Sequence, residues 1–587
     1  MVDAAGTTKY TYTAGNQLLT EDGPFASDTV TNIYLNRLRT ALSLQQPTGL
    51  WTNGFAYDAA RRLTNLVSKA GSFADEYSTG VGGASGFSSH LVKRLLLPNL
   101  AAITNDYDAT ARLLATHLRT SAGVLTNKHE YGYNQAGQRT NETRVDARTV
   151  AYAYDSIGQL KVADSSVSTE DRGYAYDSAW NLNYRTNNGV ASTFTVDIRN
   201  QLTSTPVGSA SYDGNGNLVS YYHRYGSGGL TRTCAYDDEN RLVSVYSGTT
   251  YRTDFGYDGL GRMRKRTTFA WNGSSWGVSA VVAYIYDGWR PIQERDGSNV
   301  PTVSYTRGTD LSGTLEGAGG IGGLLARSSG YSGGNWTSHA YYHADGNGNI
   351  TRLLATNQSV VASYRYDPFG NTISKSGTLA DANVYRFSSK EIHLVDTMGS
   401  PPLYYYGYRF YEPSLQRWMN RDPVFDKGFS IATRVKVPAD EPNTFLFVRN
   451  GSISGVDPFG LRLVAQGGFD DESLQAVGDA VGRCFAIAHS RQKEYEEFGR
   501  QRRLVLNADK WYHCVTSCEM TRACGSAMAW ALGELRELWQ RTQPGHDPTG
   551  TDTAQDKRAN RDGRKCGGCK EKRSCEECCE GLGYQRF

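Results

Sequence analysis

Side chains alternate at period two through Thr149-Val-Ala-Tyr-Ala-Tyr154, the alternation stops at Asp155-Ser-Ile-Gly158, and it resumes at Gln159-Leu-Lys-Val162. This is the pattern of a β-hairpin with one tight corner. At such a corner the Asp carboxylate can accept bonds from backbone amides two residues on, while the Gly takes a positive φ that a Cβ would oppose.

The same phrase returns along the first two thirds of the chain. Clear copies are Tyr154-Asp155-Ser-Ile-Gly158-Gln-Leu160, Tyr212-Asp213-Gly-Asn-Gly216-Asn-Leu218 and Tyr257-Asp258-Gly-Leu-Gly261-Arg-Met263, with looser ones beginning at Tyr57, Tyr107, Tyr133, Tyr176, Tyr236 and Tyr366. From Tyr133 to Tyr176 and again from Tyr212 to Tyr257 successive copies fall 21 to 24 residues apart, the spacing of stacked supersecondary units. Tyr152 and Tyr154 share one strand face, as do Tyr174 and Tyr176, so the hairpins offer ladders of rings whose hydroxyls need partners. An ordinary sandwich would leave so many consecutive hairpins with long free edges, whereas curling and closure removes them. The predicted fold is therefore mainly β, a spiral or closed shell of antiparallel hairpins, followed by a small, mostly α, Cys-rich C-terminal domain.

Composition agrees with strands joined by Gly turns: 38 Tyr and 64 Gly stand against 16 Pro. The net charge of +3 arises from 62 basic and 59 acidic residues mixed along the chain, which gives no support to nucleic acid as a partner. No apolar run approaches the roughly 18 residues of a transmembrane segment, and the opening Met-Val-Asp-Ala-Ala-Gly lacks the basic and apolar parts of a signal peptide. Export by another route, or a longer chain of which this is part, is expected.

A second signature follows the repeats: Tyr404-Tyr-Tyr-Gly-Tyr408-Arg409-Phe-Tyr411-Glu-Pro413, then Arg417-Trp418-Met-Asn-Arg421-Asp422-Pro423, then Asn443-Thr-Phe445-Leu-Phe447-Val-Arg449-Asn450, and last Val456-Asp457-Pro-Phe-Gly460-Leu461. With the Tyr-Asp phrases, it resembles the RHS-repeat and teneurin-like YD-repeat proteins and their RHS-repeat-associated core, over residues 1–461. The resemblance implies a β-shell over 1–380, the C-terminal part of a longer shell; a core over 381–461; and a variable C-terminal domain over 462–587. In that family the core plugs one end of the shell and the variable domain, often a toxin, travels with it. The chain departs from the pattern by an insertion from Val424 to Arg434, where a short Gly-rich link is usual, and by a degenerate stretch before His90.

In some members the core is a self-cleaving aspartyl protease that cuts just after the Asp-Pro-x-Gly-Leu end. Two carboxylates close enough to share a proton are required, one activating water and the other protonating the leaving group. Matching motif to motif gives Arg421, Asp422 and Asp440 as catalytic candidates, with Asp426 a rival for the second carboxylate, and a cut between Leu461 and Arg462. The plainer reading is that Arg421-Asp422-Pro423 is a salt-bridged turn and Asp457-Pro-Phe-Gly460 a plain β-turn.

Beyond Asp470 the period becomes helical, with Leu474, Val477 and Val481 and then Met528, Leu532, Leu535 and Trp539 spaced as stripes. Nine of the ten cysteines lie here. Cys566, Cys569, Cys575 and Cys578 form two Cys-x-x-Cys pairs that fit a structural zinc site, and equally fit disulfides if the domain is exported. No other cofactor is implied. His513 beside Cys514 points about 100 degrees away from it on a helix, which suits a structural pair better than a nucleophile and its base.

Two functions are open at this stage. One is a secreted or cell-surface shell carrying its own C-terminal domain as a toxin cargo, with an immunity protein and a delivery apparatus as partners. The other is a structural or adhesive repeat protein that binds a protein or carbohydrate and has no enzymatic activity.

Overall fold

The computed structural model describes residues 1–78, 90–393 apart from 226–227, 402–425, 443–461 and 464–465. Contacts divide the chain into two units. One comprises Met1–Asp422 with Asp440–Phe469, and the other Pro423–Ala439 with Asp470–Phe587. Nearly all described residues belong to the first, and the cysteine cluster at 566–579 and the helical stripes lie outside the described residues.

The first unit is built as expected from antiparallel hairpins. Seventeen strands, from Lys9–Tyr12 to Val190–Thr193, close into a barrel, and sixteen more, from Thr195–Val196 to Thr372–Ser376, form a second sheet. Closure removes the two free edges that an open sheet would have. Period two is visible in the burial: along Tyr251–Tyr257 every odd residue is buried and every even one partly exposed.

Each corner has the chemistry its sequence requires. Asp155 Oδ1 accepts from the amides of Ile157 (3.0 Å) and Gln159 (2.8 Å), the Gly158 amide bonds the Asp155 carbonyl, and Gly158 sits at φ 92°. Tyr154 pairs with Leu160 across a register shift, so the corner is a tight turn closed by a glycine bulge. The Tyr hydroxyls find partners in the preceding hairpin. Tyr176 donates to the carbonyl of Leu160 (2.9 Å), Tyr257 to Leu242 (2.6 Å) and Tyr366 to Ile350 (2.8 Å), each acceptor being the first strand residue after the previous corner. The repeat is thus a stitch, in which the Asp makes the corner and the Tyr ties it to its neighbour.

The structure adds a copy that the Tyr-based reading passes over. At Val196-Asp197 the Asp again accepts from the amides at 199 and 201 (both 2.9 Å), although Val stands where Tyr is usual and Asn200, at φ 60°, where Gly is usual. It divides the long gap between Tyr176 and Tyr212.

Several strands of the second sheet are buried on both faces. Ile285, Leu325, Tyr341 and Leu354 join one apolar cluster with Leu44, Trp51 and Leu66 of the barrel. Their neighbours Leu324, Tyr342 and Leu353 turn the other way and join Tyr404, Tyr411 and Trp418 of the core. Each such buried aliphatic side chain contributes about 2 kcal/mol of transfer free energy. Charges bridge the layers too: Glu21 of the barrel meets Arg262 at 2.6 Å and also Arg264, both of which bond Asp258.

The core is a small antiparallel sheet of Glu391–His393, Leu403–Tyr405, Phe410–Glu412 and Arg417–Trp418. Tyr411 stacks on Phe447 with ring centroids 3.9 Å apart, and Trp418 lies edge-on to both. The stretch Asn443–Phe447 runs beside the last core strand, with the Trp418 amide on the Phe445 carbonyl and the Trp418 indole N–H on the Leu446 carbonyl.

Candidate active site

Arg409 occupies the turn between two core strands, where its carbonyl is held by the Tyr406 amide (3.0 Å), and its guanidinium lies over the Trp418 ring at 4.2 Å. One of its nitrogens, Nη2, lies 2.7 Å from Asp422 Oδ2 and 3.7 Å from Asp457 Oδ2. Two carboxylates 35 residues apart in sequence, with the Val424–Arg434 insertion and the Asn443–Asn450 motif between them, therefore converge on one buried cation. Arg409 also donates from Nη1 to the Thr444 carbonyl (3.2 Å) and from Nε to the Gly460 carbonyl. The Asp422 amide bonds the same Thr444 carbonyl at 3.0 Å, which fixes Asp422 and Arg409 against one segment.

Asp457 faces the segment where the cut is expected. Its Oδ1 accepts from the amides of Phe459 (3.3 Å), Gly460 (2.8 Å) and Leu461 (3.0 Å), which places this carboxylate one residue from the Leu461–Arg462 peptide bond. The buried Lys390 also holds this segment, donating to the carbonyls of Pro458 (2.5 Å) and Gly319 (3.0 Å). Burial pushes the Lys390 ammonium down to about 7, against the opposing pull of Asp457. Asp422, Asp457 and Leu461 are all buried.

Among the candidates read from the sequence, Asp422 and Leu461 are part of this arrangement. Arg421 is exposed and lies against the Gly216 corner of the second sheet, while the cation beside Asp422 is Arg409. Asp440, Asp426 and Arg462 lie outside the described residues, as do Cys566, Cys569, Cys575 and Cys578. Sequence reasoning passed over Asp457 and Arg409 as chemical groups. In the Asp-Pro-x-Gly-Leu phrase Asp457 has the place of a turn former; one oxygen caps the turn while the other lies 3.7 Å from Arg409. The signal for Arg409 was its place in the Tyr-rich core motif, which spacing alone cannot distinguish from that of Arg417 or Arg421.

Residues 86–270 match the family model of the teneurin YD-shell. A curated relative, double-stranded DNA deaminase toxin A of Burkholderia cenocepacia (strain H111), is 24% identical over 341 residues, which cover 56% of this chain and 22% of that protein. Toxin subunit YenC1 of Yersinia entomophaga is 33% identical over 105 residues, covering 17% of this chain and 9% of that one. Among solved structures, the crystal structure of TcdB2-TccC3 superposes at a TM-score of 0.55 with 18% identity, over 78% of this chain and 26% of that one. A Tc holotoxin pore of Photorhabdus luminescens superposes at 0.53 with 17% identity, over 79% and 25%. At these identities the structural likeness is one of fold, and the chain spans about a quarter or less of the length of these relatives. Repeat, corner chemistry and sheet topology together define the fold class as a shell of antiparallel β-hairpins, of which residues 86–270 match the YD-shell model.

Proposed function

We propose that this shell carries its C-terminal segment, residues 462–587, as a toxin cargo and that its core severs the chain between Leu461 and Arg462. The convergence of Asp422 and Asp457 on Arg409, one residue from that bond, carries the self-cleavage reading. In the proposed step one carboxylate takes a proton from a solvent water as its oxygen adds to the Leu461 carbonyl carbon. The other carboxyl, protonated, gives its proton to the Arg462 nitrogen as the C–N bond breaks. The products are a Leu461 carboxylate and a free Arg462 amine, with the proton taken replacing the proton given. Arg409 donates to Asp422 and also fixes the Gly460 carbonyl.

The relatives named as toxins support the cargo reading. A toxin carried in a shell acts outside the cell that makes it, so the reading also includes export through a delivery apparatus and an immunity protein in the producer. Expression of residues 462–587 alone in a bacterial host tests the cargo. Growth arrest is expected, and unimpaired growth at confirmed expression would favour a structural or adhesive shell.

A further inference from the structure

The peptide around the expected cut is held on both sides, and on both sides by main-chain atoms. Ahead of it, Asp457 takes the amides of residues 459–461, Arg409 takes the Gly460 carbonyl and Lys390 the Pro458 carbonyl. Behind it, Val464–Ala465 forms an antiparallel ladder with Gly455–Val456, pairing Gly455 with Ala465 and Val456 with Val464. The expected cut after Leu461 therefore falls, in sequence, between two segments, Gly455–Val456 and Val464–Ala465, that pair with each other through their backbones. Proteins that add a peptide to a sheet edge in this way gain binding from main-chain hydrogen bonds and need no particular side chain at the paired positions.

We infer that the core positions the downstream side of its own cleavage site through this ladder, so that the sequence after the cut is selected for its ability to form a strand and not for its side chains. This rests on the self-cleavage reading above and deepens it: Val464 and Ala465 are positioning residues acting through their backbone. The consequence for a carrier is that unrelated cargo sequences are cut equally well, provided the third and fourth residues after the cut can pair.

Proline removes an amide donor and cannot sit within a paired ladder. Paired main-chain placement sets the geometry of attack, and loss of it is expected to slow cleavage about tenfold or more. The test is the rate of appearance of the two fragments in freshly translated full-length chain, followed by denaturing electrophoresis and mass spectrometry, for wild type and for Val464→Pro with Ala465→Pro. Replacing the same two residues by pairing-competent ones, Val464→Thr with Ala465→Val, is expected to restore the wild-type rate. A thermal melt of the shell accompanies each variant, so that a slow rate in a shell of unchanged melting temperature reports positioning. A proline variant that cleaves as fast as wild type, or a Thr/Val variant as slow as the proline one, overturns the inference while leaving self-cleavage intact. A wild-type chain that never cleaves overturns both.

Discussion

At the scale of single residues, the Tyr hydroxyl explains why the repeat keeps tyrosine where phenylalanine would fill the same space. Tyr257 donates to the Leu242 carbonyl at 2.6 Å in a buried setting, and Tyr257→Phe leaves that carbonyl without this donor. A loss of about 1 to 2 kcal/mol is expected in chemical denaturation, and an unchanged midpoint would show that the stitch adds nothing. The corner glycines yield the opposite kind of prediction. Ala111 occupies a corner at φ 67°, a left-handed conformation that costs an L-residue about 1 kcal/mol, so Ala111→Gly is expected to stabilise the shell by roughly that amount. The need of each hydroxyl for a partner was legible in the sequence. Its identity was not, because the acceptor is a main-chain carbonyl in the previous hairpin and is fixed only by the register shift before each Tyr.

At the scale of elements, strand and corner follow directly from alternation and from Asp-x-x-Gly, but the stacking of layers does not. Tyr284-Ile285-Tyr286 reads as one apolar run, yet Ile285 faces the barrel and the tyrosines face the core. Ion pairs between layers are also invisible in the sequence, since Arg39 and Asp287 meet at 2.6 Å from positions 248 residues apart. Arg39 and Arg290 hold Asp287 down, against the upward push of burial, to about 2 from an ordinary 3.8. A depressed folded value means stability that is present above pH 4 and lost as pH falls toward 2, worth about 2 kcal/mol for a shift of this size. Asp287→Asn is expected to lower stability at pH 7 by about 3 kcal/mol, because it leaves a mostly buried Arg39 without its carboxylate. Its stability should also change less than that of the wild type between pH 4 and pH 2. Parallel acid titrations of the two proteins would contradict this.

At the scale of the whole molecule, a β-shell was legible in the sequence because its repeat and its core motif are both local in text. The site was legible only in part. Asp422 was named from its motif, whereas the convergence of Arg409, Asp422 and Asp457 depends on Asn443–Phe447 running beside the last core strand and bringing Thr444 to both Arg409 and Asp422. No helix among the described residues is long and apolar enough to cross a membrane. The most direct test of the account is the intact mass of the purified full-length chain beside its Asp422→Asn and Asp457→Asn variants. Wild type is expected as two polypeptides, one ending at Leu461 and one beginning at Arg462, with each variant as a single uncut chain. An uncut wild-type chain would contradict self-cleavage, and a block by Asp440→Asn with none by Asp457→Asn would move the second carboxylate's role to Asp440.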